Sequence, residues 1–463
     1  MIMTKENKKS FEWERKSGWL LISDNERKEI FNFAEEYKDF LSKNKTEREF
    51  VLYATDQLEK EGFHDILKMN RLSAGDKVFY TYKNKALIAA RVGSSPNFKI
   101  IASHIDSPRL DLKPFPLTED YDLALFKSHY YGGITKYQWV NRPLALHGVL
   151  IKKDGKVINV SIGDSLEDPV FVISDLLPHL ASKQLEKKMS EVIRGETLQI
   201  LMGNIPLKDD EKNPVKKNVL KLLHDRYDID EQDLAIGELE FVPAAPPRDV
   251  GLDASMIGAY GQDDRICAYT SLKALVDSSS RKQTLLAVFV DKEEIGSTGN
   301  TSADSSFLIH FANLFSKLYG CNESGADLLF NAEAISADVT GAINPLFSDV
   351  SDPENSSYLG RGVTVEKFGG GGGKYMSNDS SSEYFNKIRS ILNNASVLWQ
   401  TGELGKIDEG GGGTIAYILA RFGMEIIDMG PPVLSMHSPY EISSKLDLYH
   451  TYKGYKAFYD ENN

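Results

Sequence analysis

LLAVFVDKEEIGSTG, residues 285–299, joins six apolar residues to a charged run that ends in glycine and small polar residues. An aliphatic run with such boundaries is typical of a central strand in a sheet that is covered on both faces. Ligands bind where such strands end. Glu293 and Glu294 lie at this end, and two adjacent carboxylates are costly to gather unless a cation or a shared proton is present. The stretch therefore predicts a buried strand that leads into a cation site.

Further candidate ligands lie in four other short motifs, and each motif lies beside an apolar run. They are His104 and Asp106 in ASHIDSPRL, Asp263 in GQDDR, Asp338 in AISADVTGA, and His437 in VLSMHSPYE. Strands lying side by side would place all of these side chains along one edge of a sheet. Imidazole and carboxylate without thiolate suit Zn²⁺, Mn²⁺ or Co²⁺.

The composition narrows the class of protein. The 463 residues carry a formal net charge of −13 and no long basic run, which argues against nucleic acid and anionic membrane as main partners. Neither Cys267 nor Cys321 lies in a paired motif, so we expect a reducing compartment. The first 19 residues form a polar stretch without an apolar signal region, and no apolar run reaches the roughly 18 residues of a membrane span. We therefore expect a cytoplasmic protein.

The N-terminal part of the chain predicts two helices and a hairpin. Residues 26–44 and 46–63 carry apolar side chains at intervals of three and four residues. Thr46 and Glu49 have the spacing of a capping box at the start of the second helix. Residues 77–93 predict a β-hairpin that leads into the strand before the first histidine motif.

The interval between His104 and Asp263 predicts an inserted domain. It is far longer than a single crossover needs, and it contains short strand-like pieces and a charged stretch at 208–218. Prolines mark both of its ends, at 108–116 and 243–247, as is common in linkers. The predicted bounds are 107–247 for a β-rich insert and 1–106 with 248–463 for the main domain.

After the insert, predicted helices and strands alternate. Helices are predicted at 265–278, 307–320 and 382–397, and strands at 285–290, 327–338 and before His437. This alternation is typical of a parallel or mixed sheet with helices on both faces. The expected fold class is therefore α/β, with a mixed sheet between helices and a β-rich insert.

Two glycine runs are candidates for binding loops. GGGGGK at 369–374 is not a phosphate loop of the Walker type, because Phe368 and Tyr375 occupy positions where that motif needs glycine and a hydroxyl residue. GGGGT at 410–414 precedes a helix-like stretch, so backbone N–H groups near Gly412 could meet an anionic or carbonyl group of a ligand. A flexible loop without a ligand is the alternative for both runs.

Six motifs in order resemble the M18 family of metallo-aminopeptidases, the aspartyl aminopeptidase group. They are ASHIDSPRL, GQDDR, DKEEIGS, ISADVTGAINP, GGGGTIAYILARFG and MHSPYE, and the resemblance covers essentially the whole chain. It implies a pair of co-catalytic metal ions, usually zinc, in an α/β peptidase domain. It also implies that the insert serves in oligomer assembly, commonly as a tetrahedral dodecamer, with short peptides as substrates.

The resemblance assigns roles to individual positions. It implies that His104 and Asp338 hold one ion, that Glu294 and His437 hold the other, and that Asp263 bridges both. Asp106 would orient a ligating histidine through its second ring nitrogen, and Glu293 would be the general base.

Local sequence leaves alternatives to these roles. Asp263 and Asp264 alone would be an ordinary helix N-cap pair, and either could be the bridge. Glu293 and Glu294 could exchange roles, because adjacent strand residues point in opposite directions. His104 alone would be a core histidine. Six other histidines are expected to have no chemical role: His64, His129, His147, His224, His310 and His450.

The substrate pocket is where the chain departs from its relatives. In the eukaryotic aspartyl enzymes of the family, a lysine shortly before an Arg-Tyr pair meets an acidic substrate side chain. Here Glu366 aligns with that lysine, and Lys374 replaces the arginine. A one-residue shift of the alignment would restore a lysine, and a pocket changed altogether by the five-glycine loop is the alternative. Lys367 or Lys374 in the pocket would favour an acidic N-terminal residue, whereas Glu366 there would repel it. Tyr375 matches the family and is expected to contact substrate.

One residue of the insert is a further candidate for substrate contact. His179 lies in SDLLPHLASK, which is similar to a family segment that reaches a neighbouring subunit's active site. The alternative is that His179 is an ordinary residue of the insert.

Three functions remain open from the sequence. The leading one is a metallo-aminopeptidase that attacks the N-terminal peptide bond with a metal-activated water. A carboxypeptidase or N-acyl deacylase would use the same metal chemistry. A non-catalytic assembly particle is the third, and the unpaired carboxylate expected at Glu293 argues against it.

Overall fold

The computed structural model describes residues 11–208, 210 and 212–461. Most of the polar N-terminal stretch (residues 1–10) and two positions of the charged stretch (209 and 211) lie outside the described residues. Within the described ranges, none of the helices combines the length and the apolar character that a membrane crossing requires.

The described chain forms twenty strands and twelve α-helices. The strands are β1 (His64–Asp65), β2 (Lys77–Tyr82), β3 (Ala86–Arg91), β4 (Phe98–His104), β5 (Arg109–Asp120), β6 (Leu123–Tyr131), β7 (Leu144–Ile151), β8 (Val157–Ile162), β9 (Gln199–Gly203), β10 (Glu238–Pro243), β11 (Arg248–Val250), β12 (Met256–Ala259), β13 (Thr284–Val290), β14 (Glu333–Ser336), β15 (Thr340–Gly341), β16 (Val363–Glu366), β17 (Trp399–Thr401), β18 (Glu425–Gly430), β19 (Pro432–Leu434) and β20 (Glu441–Ser444). The helices are α1 (Asp24–Lys43), α2 (Glu47–Lys60), α3 (Ser182–Leu185), α4 (Met189–Val192), α5 (Pro214–Tyr227), α6 (Glu231–Ile236), α7 (Gln262–Asp277), α8 (Phe307–Tyr319), α9 (Gly325–Phe330), α10 (Ser382–Asn394), α11 (Ala416–Leu419) and α12 (Lys445–Asp460).

A mixed nine-stranded sheet forms the centre of the fold, in the order β1-β2-β3-β13-β4-β14-β18-β16-β17. The predicted central strand is confirmed: β13 is buried along its whole length and pairs with β3 on one side and β4 on the other. Alternate residues of β13 enter two cores. Leu285 and Phe289 pack with residues of α1, α7 and α12, and Val288 packs with residues of α8 and α9 on the other face. Helices therefore cover both faces, as predicted.

A second sheet is built entirely from strands between residues 109 and 243. Its six strands have the order β8-β7-β10-β5-β6-β9, and all of its pairings are antiparallel. It has a hydrophobic core of its own, in which Trp139 and Phe241 are fully buried. The chain is thus an α/β protein with a β-rich insert.

A third, five-stranded sheet has the order β11-β12-β20-β19-β15. Strand β12 leads into α7, and the turn after β19 carries His437. This sheet therefore supplies two of the segments in which the sequence predicts metal ligands.

The predicted local elements are largely confirmed, with one correction. The helices α1, α2, α7, α8 and α10 form, Thr46 and Glu49 make the capping box, and β2 pairs with β3 as a hairpin. The predicted strand at 327–338 is wrong in its first half, where α9 forms instead. Ser324 accepts the backbone N–H of Asp327, whose carboxylate accepts the N–H of Ser324 in return. This second capping box begins a helix inside an apolar run that could equally be a strand.

One contact between the insert and α2 has a buried histidine at its centre. His147 Nδ1 lies 2.7 Å from Glu49 Oε1, and His147 Nε2 lies 3.0 Å from Asp164 Oδ2. Burial alone would lower the pKa of His147, but hydrogen bonds to Asp164 and Glu49 raise it to about 9. The imidazolium form therefore stabilises the contact between the six-stranded sheet and α2.

We expect this contact to make stability depend on pH. The folded pKa of about 9 exceeds the unfolded value of about 6.5, so the stabilisation is complete below pH 6.5 and is lost as the pH rises through 9. The shift sets an upper limit of about 3 kcal/mol. Between pH 6.5 and 9, the urea midpoint should fall more for wild type than for His147→Gln. The exposed His129→Gln is the control; equal pH slopes for wild type and His147→Gln would contradict this expectation.

Candidate metal centre

Three neighbouring strands bring the first candidate ligands together. His104 is the last residue of β4, Glu293 and Glu294 form the turn directly after β13, and Asp338 follows β14 by two residues. Strands β13, β4 and β14 are adjacent and parallel, so their carboxyl ends lie at the same edge of the nine-stranded sheet. This part of the predicted arrangement follows from the strand ends, as expected.

The expectation that all ligands follow strands of one sheet is wrong for Asp263 and His437. Both come from the five-stranded sheet, Asp263 at the start of α7 and His437 in the turn between β19 and β20. Their segments are joined by Glu441, the first residue of β20 and 1% exposed. Its carboxylate accepts the backbone N–H of His437 at 2.7 Å and that of Asp263 at 3.1 Å. Glu441 thereby brings the two segments to the edge of the larger sheet.

The two carboxylate oxygens of Asp263 face different histidines. Asp263 Oδ1 lies 3.1 Å from His104 Nε2, and Asp263 Oδ2 lies 3.2 Å from His437 Nε2. Beyond them, Asp338 Oδ1 lies 3.7 Å from His104 Nε2, and Glu294 Oε2 lies 3.4 Å from His437 Nε2. The side chains thus form two halves that share Asp263, the arrangement that a pair of bridged cations requires.

In the part of the chain that the structure describes, two sets of side chains offer ligand atoms within 4.8 Å of one another: His104 with Asp263 and Glu294, and His104 with Asp264 and Asp338. The peptide bond between Asp263 and Asp264 is cis. Both carboxylate oxygens of Asp264 and Oε1 of Glu294 are buried without a hydrogen-bond partner among the described residues. Buried, unsatisfied oxygens of this kind suit a cation, so the donor set fits divalent metal ions. Asp264 remains a second candidate for the bridge.

Several carboxylates lie close together in the buried part of the site. Burial raises the pKa of Glu293 to about 8, and repulsion from Asp338, Asp106 and Asp263 adds to this effect. Burial and repulsion from Asp263 also raise the pKa of Glu294 well above its usual value. Such a cluster is stable only when protons or cations compensate it.

Asp106 contacts both His104 and the turn that carries Glu293 and Glu294. Its Oδ1 lies 3.4 Å from His104 Nδ1, and its backbone carbonyl lies 3.0 Å from the same nitrogen. Its two carboxylate oxygens also accept the backbone N–H groups of Glu293 and Glu294, at 3.1 and 3.2 Å. The acceptor closest to His104 Nδ1 is thus the backbone carbonyl of Asp106, with the carboxylate farther away, and the role of Asp106 in orienting His104 stays a prediction. Its carboxylate also holds the turn that carries both glutamates, which the sequence did not indicate.

The residues expected to contact substrate are more dispersed. A cavity of about 390 Å³ lies between the two glycine loops, and Lys374, Glu403 and Gly410 are among the residues that line it. Lys374 Nζ lies 3.1 Å from Asp379 and 3.7 Å from the centre of the Phe368 ring.

The two glycine loops contact each other. The Gly412 carbonyl accepts the N–H of Gly370 at 2.7 Å, so it joins the loops. Tyr375 is 78% exposed at the turn of the first loop.

Glu366, the last residue of β16, and Lys367, which follows it, have side chains that point in opposite directions. Glu366 is buried and accepts a hydrogen bond from Thr340, and burial with repulsion from Asp428 raises its pKa to about 8. Lys367 is exposed and lines a different cavity, with Trp13 and Trp399. The structure therefore does not bring Lys367 to the cavity between the glycine loops. His179 is exposed in the insert, within the turn Pro178–Leu180.

Three contributors to the site were missed by sequence reasoning. Glu441 lies in the MHSPYE motif, four residues after His437, but nothing local indicates that its carboxylate turns back to that segment. Tyr131 donates a hydrogen bond to Asp106 at 2.8 Å, and the Gly133 carbonyl lies 2.9 Å from His437 Nδ1. Both belong to the insert, so no pattern near the ligand motifs could have predicted them.

The chain is similar to known metalloproteases over nearly its whole length. The family model described as aminopeptidase I zinc metalloprotease (M18) matches residues 40–459. The probable M18 family aminopeptidase 1 of Clostridium acetobutylicum is 49% identical over 458 residues, which is 96% of this chain and 98% of the relative. The crystal structure of the M18 aminopeptidase from Thermotoga maritima superposes with a TM-score of 0.94 at 46% identity, covering 97% of this chain and 100% of that one.

A more distant structure shares the fold alone. It is the S. cerevisiae mApe1 dodecamer, with a TM-score of 0.75 at 21% identity, covering 93% of this chain and 96% of that one. The family model and the relatives with high sequence identity match nearly the whole chain, and they therefore show the family. This chain belongs to the M18 family of zinc metallo-aminopeptidases.

Proposed function

We propose that this aminopeptidase removes the N-terminal residue of short peptides with two divalent metal ions. His104 and Asp338 would hold one ion, Glu294 and His437 the other, and Asp263 would bridge them. The observation that carries the proposal is the orientation of Asp263, whose two oxygens lie 3.1 and 3.2 Å from the two histidines. Imidazole and carboxylate ligands suit Zn²⁺ best, with Mn²⁺ and Co²⁺ as alternatives.

The ions would supply a water of low pKa and Lewis acidity toward the scissile carbonyl. Glu293 would be the general base, which would take a proton from the nucleophilic water and pass it to the leaving amine. Burial and neighbouring carboxylates raise the pKa of Glu293 to about 8, and bound cations would offset the charge of those carboxylates. Asp106 keeps His104 and the 293–294 turn in place during this transfer, through the hydrogen bonds described above.

The cavity between the glycine loops is the proposed pocket for the N-terminal side chain. It borders Glu403, and both Glu403 and Asp338 of the metal centre lie near enough to Glu366 to help raise the pKa of Glu366. Lys374 lines this cavity, whereas Lys367 lines another. We therefore assign a preference for acidic N-terminal residues to Lys374, with Tyr375 and the Gly412 loop at the rim.

A panel of aminoacyl chromogenic substrates tests the proposed function. We expect cleavage of Glu, Asp, Leu and Lys derivatives with a free α-amine, and no cleavage of the N-acetylated Glu derivative. Lys374→Ala should lower kcat/KM for Glu about tenfold and leave Leu unchanged, since a charge-assisted contact is worth at least about 1.5 kcal/mol.

Lys367→Ala is the matched control and should change neither substrate. Equal losses for Glu and Leu with Lys374→Ala would contradict the pocket assignment. Release of acetate from the N-acetylated derivative would instead favour a deacylase of the same metal class, and release of the C-terminal residue from an N-blocked peptide would favour a carboxypeptidase.

We further propose that the insert, residues 107–247, is a separate domain that forms the contacts of a homo-oligomer. One of its stretches exposes a series of apolar side chains: Leu176, Leu177, Leu180, Leu185 and Met189. Exposed apolar surface of this kind marks protein interfaces. The fold-related S. cerevisiae mApe1 structure is a dodecamer, which supports a dodecamer here. The tetrahedral arrangement of its subunits is proposed from the family resemblance alone. His179 lies inside this stretch and would reach the neighbouring subunit's site.

Cys267 and Cys321 are unpaired, in keeping with a cytoplasmic location.

Charged substitutions in this stretch should reduce the particle size. Leu177 and Leu180 are 49% and 65% exposed, so replacing both with Glu costs little in the isolated subunit and places two charges in the proposed interface. Light scattering should then report a smaller particle than wild type. The control is Leu252→Glu, a fully exposed leucine outside the insert. An unchanged mass for the double variant would place the subunit contacts elsewhere.

A further inference from the structure

We propose that residues 131–133 of the insert, which end β6 and follow it, position both metal-binding histidines of their own chain. This segment, called here the 131–133 segment, would make the insert part of the metal centre in addition to its role in assembly. The inference rests on the proposed function, because it assigns positioning residues to the same site.

Tyr131 acts on the half of the site that contains His104. Its hydroxyl donates to Asp106 Oδ2 at 2.8 Å. The other oxygen of that carboxylate lies 3.4 Å from His104 Nδ1. Because the carboxylate also accepts the backbone N–H groups of the 293–294 turn, one hydrogen bond from the insert constrains the orientation of a histidine and of two glutamates. Partners of this kind are the ones that fix a ligand's geometry and basicity.

Gly133 acts on the half that contains His437. Its backbone carbonyl lies 2.9 Å from His437 Nδ1 and, because a carbonyl oxygen can only accept, it keeps a proton on Nδ1. In the neutral ring that a metal ion binds, Nε2 is then the ligand nitrogen. Nε2 is the nitrogen that faces Asp263 and Glu294, at 3.2 and 3.4 Å. The carbonyl therefore selects the tautomer that can bind metal.

Because Gly132 and Gly133 have no side chains, the segment can pass close to Glu294 and His437. Gly132 has φ of +74°, and a Cβ atom there would lie 3.3 Å from Glu294 Cβ and 3.4 Å from Glu294 Oε2. A Cβ atom on Gly133 would lie 3.4 Å from His437 Nδ1. The segment thus passes directly over two ligands of one proposed ion, Glu294 and His437, and the space for a side chain is tight at Gly132.

Tyr131 is held in place by a buried charge cluster. The Arg109 guanidinium stacks on the Tyr131 ring at 4.0 Å from its centre, and the two residues pair across β5 and β6. Arg109 also forms ion pairs with Glu240 of the insert and with Glu47 of α2. The hydroxyl of Tyr131 is therefore delivered from a rigid strand that is tied to both parts of the chain, as precise positioning requires.

The decisive variant is Tyr131→Phe, which removes one hydroxyl and keeps the ring. We expect zinc affinity, measured by competition of the apoprotein with a chelator, to fall about tenfold to 100-fold. The absorption spectrum of the Co²⁺-loaded protein should change as well, because the ligand geometry changes. Tyr130→Phe, next to it and 41% exposed, is the matched control and should leave both readouts as in wild type.

A second pair of variants tests the segment without touching Tyr131. Gly132→Ala places a methyl group against Glu294, whereas Gly155→Ala, also in the insert at φ +83°, meets no atom within 4 Å. Both alanines introduce the same kind of backbone strain, because both positions have positive φ. Zinc affinity should therefore fall more for Gly132→Ala than for Gly155→Ala.

The possible outcomes are distinct. Weaker zinc binding by Tyr131→Phe and Gly132→Ala, with both controls unaffected, supports the inference. If wild type binds zinc and cleaves peptides but each variant matches its control, the inference is overturned and the proposed function stands. A wild-type protein that binds no zinc would overturn the proposed function and the inference with it.

Discussion

Replacing Glu293 with Gln should lower kcat by at least about 100-fold while the protein keeps its full complement of metal. Loss of a general base costs about 10² to 10⁴ in rate, and glutamine cannot accept the proton of the nucleophilic water. The metal should remain because Glu293 has no ligand role in the proposed site. Steady-state kinetics and elemental analysis of the same preparation check both parts.

Glu294→Gln is the informative comparison for this variant, because the two residues are adjacent in the same turn. It should lose metal, and its activity should recover in part when metal is added in excess. If Glu293→Gln loses metal while Glu294→Gln keeps it and is inactive, the two roles are exchanged.

Replacing Asp263 with Ala should empty both metal positions and abolish activity. Its two oxygens face the two histidines separately, so its loss removes a ligand from each ion. Glu294→Ala and Asp338→Ala should each weaken one ion. Elemental analysis after gel filtration measures the metal that remains per chain.

Asp264→Ala is the matched control for the bridge, since Asp264 is the neighbouring carboxylate and lies within ligand distance of His104 and Asp338. Its metal loss should be limited to the His104 half of the site. If Asp263→Ala empties one position and Asp264→Ala empties both, Asp264 is the bridge.

Strand ends were the most predictable feature of this protein. The run at 285–290 has the hydrophobic character of a strand that is buried on both faces, and β13 is such a strand. His104 and Glu294 follow adjacent parallel strands, so the position of their motifs after apolar runs was enough to place them together. The capping box at Thr46 is equally local and was equally predictable.

The sequence could not predict how residues from distant parts of the chain come together at the site. Asp263 and His437 reach the site from the five-stranded sheet, because Glu441 accepts hydrogen bonds from both of their backbone N–H groups. Nothing in the sequence states which strands share a sheet. The same holds for Tyr131 and Gly133, whose contacts with the site span the boundary of the insert.

The placement of Glu366 and Lys367 was within reach of simple reasoning. Successive residues of a strand point to opposite faces, so these two neighbours were unlikely partners for one pocket. In the structure Glu366 is buried and Lys367 is exposed beside Trp13 and Trp399. By contrast, whether Asp263 or Asp264 is the bridge depends on side-chain orientation alone, which no sequence pattern reports.

A zinc titration of the apoprotein tests the two-metal proposal most directly. Bound zinc per chain and release of the N-terminal residue from an unblocked peptide are measured on the same samples. We expect activity to depend on zinc and to saturate at two ions per chain, with no cleavage of the N-acetylated peptide. Saturation of activity at one ion per chain, or cleavage by the metal-free protein, would contradict the two-metal site.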